Sequence, residues 1–104
     1  MATDLTGTTL PVTGSITLTN ADVAYEVQLP KSARSIMVEP KTNDAEFSFT
    51  GTDTVDLGDL SMALPSDTIV DLDIRRSRAP AGGNVSIFLQ TATGGTKVAY
   101  TMTN

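Results

Sequence analysis

Apolar and polar residues alternate in short stretches along most of the chain. Val23, Tyr25, Val27 and Leu29 alternate with Ala24, Glu26 and Gln28. Val70, Leu72 and Ile74 alternate with Asp71 and Asp73, and Val85, Ile87 and Leu89 with Ser86 and Phe88. Successive side chains of a strand point to opposite faces, so each stretch offers one apolar face and one mostly polar face. The pattern predicts strands near residues 15–20, 23–29, 34–39, 45–50, 60–64, 68–75, 85–91 and 97–102. Pro, Gly, Asn and Asp stand between them: Asn20-Ala21-Asp22, Pro30-Lys31-Ser32-Ala33, Pro40 to Asp44, Pro65-Ser66-Asp67 and Thr93-Gly94-Gly95-Thr96. No window carries apolar residues at helical spacing over three turns. The chain therefore reads as all-β, an antiparallel sandwich of about eight short strands with either jelly-roll or Ig-like topology.

Residues 1–14 differ in character from the rest of the chain. They are rich in Thr and Gly, and only Leu5, Leu10 and Val12 are apolar besides Met1 and Ala2. Pro11 holds its neighbourhood extended. This predicts an extended N-terminal arm over residues 1–14, either a partly ordered terminus or a segment that pairs with a neighbouring subunit, ahead of a sandwich domain over 15–104. Leu5, Leu10 and Val12 are its candidate partner contacts.

Composition narrows what such a sandwich does. With 104 residues the chain is one domain, large enough to fold without disulfides. Seven basic residues stand against twelve acidic ones, a formal charge of -5, which argues against nucleic acid as a partner. No apolar run is long enough for a membrane span, and the start of the chain has neither the basic nor the apolar part of a signal peptide. Synthesis in a cytoplasm is expected. Threonine makes up roughly one residue in six, and its β-branch suits the outer face of a sheet.

Candidate chemistry is sparse. Histidine and cysteine are absent, so the usual base and the strongest nucleophile are missing, and an enzyme is not expected. Lys31 adjoins Ser32, but a lysine in a proline-led turn stays solvated and charged. Asp53, Asp56 and Asp59 recur at three-residue spacing. Several such oxygens can surround Ca²⁺, although the segment fits no EF-hand loop, and a solvated turn is the alternative. Neither a metal nor a cofactor is predicted. Arg75, Arg76 and Arg78 open a loop that runs through Ala79-Pro80-Ala81-Gly82-Gly83, and arginine forks suit interfaces with carboxylates. Phe88 falls on the outward side of its strand, where either a loop or a second subunit must cover it. Met37 lies outward in the same way, and the lack of Trp counts against a sugar-stacking platform.

The phrases VQLPKSARSIMVEP, TNDAEFSFTG and ALPSDTIVDLDI run in order as strand, Leu-Pro turn, strand, and then a second Leu-Pro turn. Together with the Thr/Gly-rich arm, this resembles the small virion proteins of tailed bacteriophages, in particular head decoration or cement proteins. The resemblance covers residues 15–104 as a layout and implies a structural role. The implied partner is the major capsid protein of an assembled shell, and the implied state is a homo-oligomer, trimer or dimer, on the capsid surface of the virion. The alternatives are a neck, tail or fibre component, or a free module that binds a glycan or a host surface protein.

Overall fold

The computed structural model describes residues 3–73 and 85–103. They form nine strands and one short 3-10 turn: β1 Thr3–Asp4, β2 Val12–Leu18, β3 Tyr25–Gln28, β4 Ser35–Lys41, β5 Ala45–Ser48, the 3-10 turn Gly58–Leu60, β6 Met62–Leu64, β7 Val70–Asp73, β8 Ser86–Gln90 and β9 Thr96–Thr103. Two sheets result. One has the order β1-β3-β8-β5-β6 and the other β2-β9-β4-β7.

The pairing is nested. β2 runs antiparallel to β9, β3 to β8, β4 to β7 and β5 to β6. Such a chain is one long two-stranded ribbon with its tip at β5–β6, rolled so that its rungs fall alternately into two sheets. That is jelly-roll connectivity, and it decides between the two topologies the pattern left open. The inner faces meet in one core. Leu18, Val27, Leu29, Ile36, Leu64, Ile87, Val98 and Met102 are fully buried in it. They are the odd or even members of each alternating stretch, as two-residue periodicity requires.

Pro40 lies inside β4, where the sequence predicts a turn. It stands opposite Val98, beyond the last β4–β7 pair at Val38 and Val70. Its carbonyl accepts from the Asp67 N–H at 2.7 Å, on the β7 side. The missing N–H therefore points where no ladder bond is made, a position that tolerates proline.

The N-terminal segment is not a free arm in this structure. β1 adds to the edge of β3 in parallel, with Thr3 opposite Val27 and Asp4 opposite Gln28. The Leu5 N–H donates to the Gln28 carbonyl at 2.8 Å, and Asp4 Oδ1 accepts from the backbone and hydroxyl of Thr6. Leu5, Leu10 and Val12 pack half-buried against the chain's own core. Val12, Thr13 and Gly14 belong to β2, opposite Met102, Thr101 and Tyr100. The boundary at residue 14 thus moves into the fold. The physical reason is that the sandwich is open along the side where β2 and β3 lie, and these three apolar side chains close it.

Candidate docking face

The two sheets present very different outer faces. On the β1-β3-β8-β5-β6 sheet, Glu26, Ser86, Phe88 and Gln90 point outward, opposite in sense to Val27, Ile87 and Leu89. The β5–β6 connection crosses over them as a strap. The Thr54 N–H donates to the Ala24 carbonyl at 2.8 Å, and the Ala24 N–H to the Val55 carbonyl at 3.2 Å. The Glu26 N–H donates to Asp53 Oδ1 at 3.0 Å. Further along, the Leu57 N–H donates to Gln90 Oε1 at 2.7 Å, and Gln90 Nε2 donates to Asp56 Oδ1 at 2.8 Å. Beneath the strap, Phe88 forms a small second core with Ala24 and Leu57 and is only 6% exposed. Loop cover, rather than a subunit contact, therefore accounts for the outward phenylalanine. Phe88 drops out as a partner residue.

The strap also explains two of the three regularly spaced aspartates. Asp56 accepts from Gln90 and from the Gly58 N–H at 2.9 Å, while Asp53 holds Glu26. Asp59 is exposed in the 3-10 turn. Among the described residues no three metal-binding side chains come together. The Gln90 side-chain amide, and then the Gly58 N–H, hold the Asp56 carboxyl below its ordinary value. The folded-state value is the lower one, so the bond favours the folded strap above the ordinary aspartate range, about 3.9. That contribution disappears as the pH falls through the depressed value. Following the Gln90 side-chain amide by NMR during acidification is expected to show its resonances shift only as the pH falls through that depressed value. In an Asp56→Asn chain the same resonances hold steady; a titration there identical to that of wild type refutes the assignment.

The β2-β9-β4-β7 sheet carries no such cover among the described residues. An open trough of about 220 Å³ crosses its outer face. Met37, Ile69 and Ala99 supply its apolar floor, with Thr13, Thr101 and Glu39 around them. Met37 is 37% exposed and Ile69 66%. The Thr13 and Thr101 hydroxyls bond to each other at 3.0 Å, and those of Ser35 and Thr103 at 2.9 Å. Cross-strand hydroxyl pairs of this kind stabilise the sheet without adding charge to that part of its surface. Toward one end Lys41 pairs with Glu39 and stands opposite Lys97. Alternation alone marks Met37 as outward; Ile69 and Ala99 join it only through strand register.

Other candidates fall elsewhere. Lys31 and Ser32 are exposed in the loop after β3, facing Thr6, Gly7 and Thr8 across an open cleft of about 470 Å³. Arg75, Arg76 and Arg78 lie outside the described residues. No known protein family, no curated protein and no solved structure matches the chain.

Proposed function

We propose that this protein is a structural virion component that binds an assembled phage capsid and reinforces it, as a head decoration protein does. The observation that carries the reading is the asymmetry of the sandwich. One outer face is strapped down by the chain itself; among the described residues the other is uncovered and displays Met37, Ile69 and Ala99 beside Thr13 and Thr101, with the carboxylates of Glu39 and Asp71 next to them. Solvent-facing apolar groups gathered in this way suit a protein surface. Jelly rolls serve many roles, viral capsid and lectin domains among them, so the fold agrees with the reading without carrying it.

A protein that binds only the assembled shell stabilises it by mass action, and many copies on one lattice add their effects. Met37 and Ile69 are the residues to test. Both face solvent, but Met37 stands opposite Asp71, so aspartate at both positions is expected to cost about 1–2 kcal/mol, and a melting curve checks that the variant is folded. Sedimentation with capsids assembled from the major capsid protein of the same genome is the measurement. Wild-type chain pellets with the particles, and the Met37→Asp/Ile69→Asp chain stays in solution. Absence of wild-type binding to those capsids removes the reading, and equal binding by the variant removes this face from it.

A further inference from the structure

Among the described residues the two sheets have four outer edges, and one of them is unlike the rest. β1 is two residues long, β6 three, and β7 has aspartate at two of its four positions. Short strands and charged residues are the usual means of keeping edges from pairing. β2 has neither. It runs for seven residues, Val-Thr-Gly-Ser-Ile-Thr-Leu, without a charge or a proline. β9 occupies one side of it and no other strand pairs with it among the described residues.

We propose that β2 is the contact edge of a two-fold dimer, in which it pairs antiparallel with β2 of a second copy to form one continuous eight-stranded sheet. The sequence of the strand favours a second copy over an unrelated strand, because it complements itself. With Ser15 on the two-fold axis, Val12 stands opposite Leu18 of the partner, Thr13 opposite Thr17, and Gly14 opposite Ile16. Core-facing positions meet core-facing positions, and the exposed hydroxyl residues Thr13, Ser15 and Thr17 meet one another. Threonine and serine pairs are favourable directly across antiparallel strands, and no like charges oppose. The same operation on β7, centred on the exposed Asp71, sets that carboxylate against its own copy and is repelled. An isologous contact of this kind closes at two copies. The inference does not depend on capsid binding.

Ser15 provides the test, since it is exposed and would oppose itself across the axis. Sedimentation equilibrium of the wild-type chain is expected to give twice the 10.9 kDa chain mass. Ser15→Lys and Ser15→Glu chains, each alone, place like charges in direct opposition, and their dimer dissociation constants rise by up to about fivefold. Mixed one to one, the two variants regain the dimer, because lysine then faces glutamate. Melting curves matching wild type show that each variant is folded. As a second variant, Asp71→Lys on the opposite edge leaves the dimer unchanged. A wild-type monomer, a trimer, variants that dimerise alone as tightly as wild type, a mixture that binds no more tightly than either variant alone, or loss of the dimer in Asp71→Lys overturns the proposal.

Discussion

Replacing Phe88 with alanine is expected to cost about 3 kcal/mol of folding stability, although the residue lies on the outward side of its strand. The reason is the strap. Phe88 is buried against Leu57 and Ala24, and an ideal Cβ at Gly51 would stand 3.3 Å from its ring. Removing the ring leaves a cavity under a segment that is otherwise held by hydrogen bonds to Ala24, Glu26 and Gln90. Denaturant unfolding measures the loss. Hydrogen exchange should show residues 52–57 opening before the core strands. The deficit is intrinsic to one chain, so it is the same at low and high protein concentration. A deficit that vanishes on dilution would mean that Phe88 is covered by another subunit and that the strap assignment is wrong.

The second large effect is expected at Gly14. This residue takes a core-facing position of β2 opposite Tyr100, and the tyrosine side chain fills the place of its missing side chain. An ideal Cβ there would lie 2.6 Å from Tyr100 Oη and 2.8 Å from Cζ. Tyr100 is itself buried in the core, so the ring has little room to retreat. Gly14→Val is therefore expected to destabilise the chain by about 2–3 kcal/mol through overpacking. In a Tyr100→Leu background the same substitution should cost at least about 1 kcal/mol less, the coupling expected of residues in direct contact. Equal costs in both backgrounds would show that the ring does not occupy the glycine position. An aromatic side chain laid over a glycine on an edge strand is a recurrent means of securing such an edge.

These two sites show why part of the fold was legible and part was not. Alternation places Ile87 and Leu89 inward and Phe88 outward, and all three assignments match their strand. What covers Phe88 is invisible to it, because a strap reaching Ala24 from position 54 depends on contacts between residues far apart in the chain. The aspartates at 53 and 56 suggest an ion-binding loop by their spacing. Their acceptors serve Glu26 and Gln90, on strands that only folding brings near. At the N-terminus, Gly14 interrupts the apolar alternation of β2, so the local pattern starts the strand at residue 15. Its inward slot is filled from β9 by Tyr100, which no local pattern records.

Two-residue periodicity, proline and glycine punctuation, and the lack of helical spacing determined by themselves that this chain forms short strands stacked into a sandwich. They also placed most of the inward side chains, because strand geometry couples sequence parity to sheet face, although Met62 and Phe49, which share parity with Leu64 and Phe47, stay exposed at strand ends. Only the tertiary structure decided that the ribbon rolls into a jelly roll, that the N-terminal segment seals the open side, and that one outer face is strapped while the other has no cover among the described residues. Those features arise from contacts between residues distant in sequence, and local patterning carries no record of which distant strand a face or an edge will meet.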